Sequence, residues 1–161
     1  MKRRSFEDMN CSVAQALEIV GEWWTLLILR DAFMGVRRFD DFQARLGISR
    51  NVLTTRLDAL VEHDILTRVC YCERPPRYEY RLTPKGRALW TVLHALREWG
   101  DEWCVGDDKA SMVLVHDGHE CKTELHCEQC GGKLGLRDIR LVPGPGADAD
   151  TVAAVGGAQT R

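Results

Sequence analysis

Phe39-Asp-Asp-Phe-Gln-Ala-Arg-Leu-Gly-Ile-Ser-Arg-Asn-Val-Leu-Thr-Thr-Arg-Leu57 is the stretch on which the fold turns. Phe39, Phe42 and Leu46 recur at helical spacing on one face, and Gly47 follows where a helix needs a stop. Ser49 then offers a side-chain oxygen to cap a second helix running to about His63. Leu53, Leu57, Leu60 and Val61 lie on one side of that helix, with Asn51, Thr55, Asp58 and Glu62 opposite. Position 52 is Val, so the capping box is incomplete and periodicity carries the assignment. Two short helices joined by a three-residue link have the spacing of a helix-turn-helix unit.

Working outward, Val13, Ala14, Leu17 and Val20 predict a helix capped by Asn10 and ended by Gly21. A second apolar helix runs from about Glu22 to Phe33 and is broken at Met34-Gly35-Val36. Downstream, from Ile65 to Leu82, the period changes to two. Val69 and Tyr71 alternate in one run, Tyr78, Tyr80 and Leu82 in the next, and Pro75-Pro76 between them excludes a continuous strand. The expectation is a β-hairpin whose tip, Glu73 to Arg77, carries Arg74 and Arg77. Thr83 and Pro84 open a last helix bearing Leu89, Leu93, Leu96 and Trp103, with Trp90 and Trp99 nearby. Its apolar surface is larger than a small monomer easily covers.

The expected fold class is therefore mainly α with a small β-hairpin: a winged helix-turn-helix with a C-terminal dimerisation helix and a small Cys/His-rich appendage. The expected division is an N-terminal arm (1–9), a DNA-binding and dimerisation domain (10–104), a Cys/His-rich segment (105–142) and a tail (143–161). The tail is rich in Ala, Gly, Pro and Asp and poor in large apolar residues, so disorder is expected there.

A chain of 161 residues with 45% hydrophobic content can build one ordinary core. The strongly apolar run Trp23 to Leu29 is too short to span a bilayer, and no charged-then-apolar leader opens the chain, which points to a cytoplasmic protein. The net charge of −2 conceals an asymmetry: 16 Lys and Arg against 13 Asp and Glu in residues 1–100, then 6 against 11. A basic face in the first part is thus possible, though such an excess is a weak signal alone.

Three helices, a short turn before the last and a hairpin follow the order in which a recognition helix enters the major groove. The face that approaches base edges has to be small, polar and free of acid. Ser49, Arg50, Asn51, Thr54 and Thr55 meet this requirement, with Arg56 on the shoulder. Arg74 and Arg77 on the wing reach phosphate or the adjacent minor groove, and Arg37 and Arg38 ahead of the first helix of the pair clamp backbone. Each residue alone is as readily an ordinary solvated side chain; their co-location argues for DNA. No Gly-rich phosphate loop, nucleophile elbow, metalloprotease motif or convincing carboxylate pair is present, so no catalytic activity is expected. The alternatives are a winged-helix protein-interaction module without DNA contact, and a metal or thiol sensor on the same scaffold.

Cys11-Ser-Val-Ala-Gln-Ala-Leu17, Gly21, Trp24-Thr-Leu-Leu-Ile-Leu-Arg-Asp31 and Gly35-Val-Arg-Arg-Phe39 together resemble the HxlR-type branch of winged-helix regulators, related to the MarR type. The match continues through Gly47-Ile-Ser49, Val52-Leu-Thr-Thr-Arg-Leu57, Tyr78-Glu-Tyr-Arg-Leu-Thr83, Gly86 and Glu98-Trp-Gly100. The resemblance implies a homodimer joined through its terminal helices on a pseudo-palindromic double-stranded DNA operator; the expected function is sequence-specific transcriptional regulation, as a repressor ahead of an activator. Glu22 and Trp23 depart from the family pattern, which has Gly and a basic residue there, and Cys70 and Cys72 have no family counterpart.

Seven cysteines, an odd number, argue against a disulfide framework. In His116-x2-His119-x-Cys121-x4-His126-Cys127-x2-Cys130-Gly-Gly, a Cys-x2-Cys followed by glycines has the form of a turn that wraps tetrahedral zinc. Cys121, Cys127 and Cys130 with His116, or His119 in its place, supply four ligands for a structural Zn2+; the alternative is reduced, unligated thiols. Cys70 and Cys72 read as redox partners or simply as β-compatible residues. Cys11 stands at a predicted helix N-terminus, where free amides favour a thiolate, and the resemblance places it at the position that electrophile- and oxidant-responsive members use for sensing. The plainer reading of Cys11 is a small buried hydrophobe.

Overall fold

Phe42, Ile28, Leu29, Leu53, Leu57 and Leu60 are all but withdrawn from solvent and form the centre around which the N-terminal helices are arranged. The computed structural model describes residues 5–106 and 109–157. The chain forms two units, Met1–Arg97 and Glu98–Arg161. Residues 1–4 of the expected arm and 158–161 of the expected tail lie outside the described residues.

In the first unit, α1 (Ser12–Val20), α2 (Trp23–Phe33), α3 (Phe39–Leu46) and α4 (Arg50–Glu62) follow one another with short links. Burial of each large core side chain contributes about 1.5–3 kcal/mol, and the stripe Leu53, Leu57, Leu60 is the α4 share of it. Cys11, rather than Asn10, is the N-cap of α1. The reason lies upstream: Gln15 Nε2 donates to the carbonyls of Phe6, Glu7 and Met9 at 2.9–3.1 Å, holding residues 6–9 in a turn that delays the helix. Gly47 closes α3 in the left-handed conformation (φ 65°), and the Ser49 hydroxyl accepts the Val52 N–H at 3.3 Å to open α4. Asp31, fully buried on α2, takes Arg45 Nε of α3 at 3.1 Å and Arg30 Nε at 3.0 Å, so α2 and α3 are pinned by charge as well as by packing.

β1 (Leu66–Glu73) and β2 (Pro76–Leu82) pair antiparallel, from Leu66 opposite Leu82 out to Glu73 opposite Pro76. The pairing includes Pro76, at the first position of its strand, where a missing N–H is tolerated. The register shifts between Cys70 and Cys72, leaving Tyr71 as the additional residue of a bulge; simple alternation of those two thiols therefore does not hold. A third edge joins the ribbon. Tyr80 N–H donates to Arg37 O at 2.7 Å, and Arg38 bridges Glu79.

The helix expected after Thr83 is divided into α5 (Pro84–Ala88) and α6 (Trp90–Gly100), followed by a π-helical turn, Asp101–Val105. At Leu89 the N–H bonds to Gly86 O, three residues back, and the helical ladder resumes with Leu93 N–H to Leu89 O. The first turn is bound separately: Thr83 Oγ1 donates to Asp64 O at 2.6 Å, and Gly86 packs directly on the Ile65 carbonyl.

In the second unit, β3 (Val115–His116) and β4 (His119–Glu120) form a minimal hairpin around Asp117 and Gly118, both at positive φ as a primed two-residue turn requires. A second small hairpin is closed by Leu134 N–H to Leu125 O at 2.7 Å and Cys127 N–H to Gly132 O at 2.8 Å. Within the segment expected to be disordered, α7 (Ala149–Gly157) is helical, its first turn capped where the Asp148 carboxylate accepts the Thr151 N–H at 2.8 Å. Composition had suggested too little burial for order; the Asp148 cap and the helix-forming Ala149, Ala153 and Ala154 favour this one short helix. Among the described residues no single helix is long and apolar enough to cross a membrane.

Candidate nucleic-acid interface

The exposed side of α4 begins at its cap and is acid-free for two turns. Ser49, Arg50, Asn51, Thr54 and Thr55 are all exposed, and Leu53 and Leu57 anchor the opposite side in the core. Thr55 Oγ1 donates back to Asn51 O at 2.9 Å, which fixes its rotamer. Asn51 is exposed on the same face, and its side-chain amide has the bidentate chemistry that suits adenine.

The arginines divide into two kinds. Arg50 Nη1 donates to Asp40 Oδ1 and to Gln43 Oε1, both at 3.0 Å, and its guanidinium stacks 4.5 Å from the Phe39 ring. It braces α3 against α4 while remaining 64% exposed. Arg56 is drawn to α2's N-cap instead: Nη2 lies 3.3 Å from Glu22 Oε2, and Nε is buried without a hydrogen-bond partner. The departure at Glu22 thus explains the orientation of Arg56, which sequence periodicity had put on the shoulder of the contact surface. Arg74 and Arg77 stand exposed at the wing, and Arg37 is exposed ahead of α3. Arg38 is exposed but engaged, 4.7 Å over the Tyr71 ring and 3.8 Å from Glu79 Oε1.

Glu79 was missed by sequence reading. Arg81 donates to its carboxylate at 2.9 Å, and this hydrogen bond, with the nearby charges of Arg81, Arg37 and Arg38, holds the Glu79 carboxyl below the usual range. The signal was present in Glu79-Tyr80-Arg81: on a strand the first and third residues share a face. Similarly, Arg68 on β1 reaches Asp58 of α4 at 3.7 Å, tying ribbon to helix.

The thiols are separated. Cys11 is exposed at the α1 N-cap, which removes the buried-hydrophobe reading. Cys70 and Cys72 are free thiols in the ribbon. The backbone N–H groups of Cys130 and Gln129, with the Cys130 thiol, hold the Cys127 thiol below its ordinary range. His116 and His119 face each other across β3 and β4, while Cys121 is tied to Leu114 O through its N–H at 3.0 Å. Among the described residues no three His, Cys, Asp or Glu side chains already converge on one point, so His116, Cys121, Cys127 and Cys130 are not gathered into a single cluster.

A helix-turn-helix with an appended two-stranded ribbon, its second helix presenting a neutral-to-basic face, defines a winged helix-turn-helix protein. The chain belongs to the HxlR-like helix-turn-helix family, whose model matches residues 19–108. It is similar to the HTH-type transcriptional regulator Rv3095 of Mycobacterium tuberculosis, 45% identical over 140 residues that span 86% of this chain and 89% of the relative. Among solved structures, PA1607, a candidate transcription factor, aligns with a TM-score of 0.76 at 37% identity over 86% of this chain and 99% of its own. The redox regulator HypR in its reduced form aligns with a TM-score of 0.54 at 30% identity over 57% of this chain and 92% of its own. The chain is thus a transcriptional regulator of the helix-turn-helix type.

Proposed function

We propose that the protein is a sequence-specific repressor that binds a pseudo-palindromic operator as a homodimer and releases it when Cys11 is oxidised or alkylated. The observation that carries the DNA reading is the acid-free exposed half of α4 beside an arginine-tipped ribbon. The dimer reading draws on exposed apolar side chains: Val13, 67% exposed, and Leu17 on α1, and Val92, Leu96 and Trp99 on α6. A second copy covering these faces sets two recognition helices about one DNA turn, roughly 34 Å, apart. Gel shift with duplex from the region upstream of the protein's own gene, with sedimentation of the free protein, tests both. A discrete complex that weakens steeply with salt and a dimeric free protein are expected; a salt-insensitive or absent complex, or a monomer, overturns the reading.

Two predictions follow from the wing and from Cys11. Arg74→Ala with Arg77→Ala lowers the slope of log affinity against log salt by about 2, since each phosphate contact contributes roughly 0.9. An unchanged slope removes the wing from the interface and favours the protein-interaction alternative. For the thiol, Cys11→Ser binds DNA as the wild type does under reducing conditions but resists release by hydrogen peroxide or an alkylating agent. The exposure of Cys11 at a helix cap supports this, as does the similarity to HypR. Release of the serine variant by the same dose of peroxide assigns the response to another group.

A further inference from the structure

The thiols of the chain differ in what surrounds them. Cys70 Sγ donates to Cys72 O at 3.2 Å and Cys72 Sγ to Arg74 O at 3.7 Å, so each sulfur of the ribbon is turned toward backbone rather than toward the other. Cys127 and Cys130 are arranged differently. The Cys130 thiol lies against Cys127 Sγ, and the N–H groups of Gln129 and Cys130 point at that same sulfur. Cys127 is half-buried and Cys130 exposed, which leaves the pair within reach of small solutes.

The backbone explains why these two sulfurs meet. Gly131 N–H donates to Cys127 O and Cys127 N–H to Gly132 O, both at 2.8 Å, which closes residues 127–132 into one tight turn. A turn sets its first and fourth Cα atoms within about 7 Å, comparable with the roughly 4.4–6.8 Å that a disulfide spans. Gly131 takes the left-handed conformation (φ 69°) at the reversal, and a Cβ on Gly132 would stand 3.4 Å from Cys130 Sγ. That sulfur therefore folds back over the residue that receives the Cys127 N–H. The base of the turn is braced outside the pair by Leu134 N–H to Leu125 O at 2.7 Å, His126 Nδ1 against Gly131 O at 2.9 Å, and Lys133 paired with Glu124. Closing an S–S bond there asks for side-chain rotation, with the backbone already in place. Among the described residues no group of three or more His, Cys, Asp or Glu gathers, so the reactive neighbour of each sulfur is the other.

We infer that Cys127 and Cys130 form a reversible dithiol–disulfide pair whose oxidant is a hydroperoxide. In the first step one sulfur attacks the terminal oxygen of the hydroperoxide: the S–O bond forms, the O–O bond breaks, and the departing oxygen takes up the thiol proton. In the second step the other sulfur attacks the resulting sulfenic acid. The S–S bond forms, the S–OH bond breaks, and hydroxide leaves as water with the second thiol proton. The two thiols together lose two electrons, and the hydroperoxide is reduced to water and an alcohol, or to two waters when it is hydrogen peroxide. The adjacent second sulfur stops the first at the reversible sulfenic stage, ahead of sulfinic acid. The inference stands apart from the Cys11 reading: this bond closes within one chain and requires neither a second copy nor DNA.

The test treats the full reduced chain with excess hydrogen peroxide and then blocks remaining thiols with N-ethylmaleimide. Peptide mapping without reductant is expected to find Cys127 and Cys130 joined to each other and unlabelled, and dithiothreitol added before the block restores both labels. This readout uses the wild type and does not depend on any variant folding. Of Cys127→Ser and Cys130→Ser, the one that keeps the attacking sulfur accumulates a dimedone-trapped sulfenic acid about tenfold above the wild type, because its resolving partner is gone. Cys11→Ser, and Cys70→Ser with Cys72→Ser, leave the Cys127–Cys130 bond forming at the wild-type rate, which separates this pair from the other thiols. Cys127 and Cys130 still labelled after the peroxide, either one joined to a different cysteine, sulfinic acid in place of the bond, or no gain of trapped adduct in either single variant overturns the assignment.

Discussion

Asn51→Glu combined with Thr55→Glu raises the Kd for the operator at least 100-fold at moderate salt while leaving the thermal midpoint within about 3 °C of the wild type. Both side chains are exposed on α4, opposite Leu53 and Leu57, so the core is undisturbed and the loss of the Thr55 Oγ1 bond to Asn51 O falls at an exposed site. Two carboxylates now stand where the duplex presents phosphate and base edges. A like charge placed against an interface costs several kcal/mol, and 100-fold corresponds to about 2.7 kcal/mol. Electrophoretic titration with a parallel melting curve reads both quantities. A double variant that binds within threefold of the wild type moves the DNA-facing surface elsewhere on the molecule.

Gly86→Ala lowers stability by about 3 kcal/mol, equivalent to a fall in the midpoint of roughly 12 to 24 °C for a unit of this size. A methyl group at residue 86 would stand 2.1 Å from Ile65 O and 3.2 Å from Leu82 Cδ2. The oxygen belongs to backbone at the start of the ribbon, where the same carbonyl also accepts Thr83 N–H at 3.1 Å, so it has little freedom to retreat. The strain therefore falls on the junction of α4, β1 and α5. Differential scanning calorimetry measures it, and a midpoint shift under 3 °C contradicts the close approach.

The helix-turn-helix was legible because its determinants are local. Phe39 and Phe42 fix the α3 face, Gly47 and Ser49 fix its end and the next beginning, and α3 and α4 follow those signals. The wing strands were legible for the same reason, from a period of two, although β2 begins one residue earlier than the prolines suggested, at Pro76 itself. What escaped the sequence was pairing at a distance. Nothing within five residues of Arg37 announces its bond to Tyr80, nothing near Arg56 announces Glu22, and the bulge at Tyr71 depends on register with β2. Asp31 reads as one more charged residue in an apolar helix until Arg45 is seen to reach it from α3. The break at Leu89 was hidden too, since the apolar spacing continues through it while the hydrogen bonds do not.

The bond from Tyr80 to Arg37 O and the bridge of Arg38 with Glu79 bear on how a target would be gripped. The segment that leads into α3 is stitched to the ribbon, and Arg68 ties the ribbon to α4, so under the proposed DNA reading helix and ribbon would present themselves together. Whatever feature the helix requires and whatever feature the ribbon requires have to occur at one fixed phase along the DNA. In the proposed dimer, adaptation to targets of different spacing falls to the contact between the two copies.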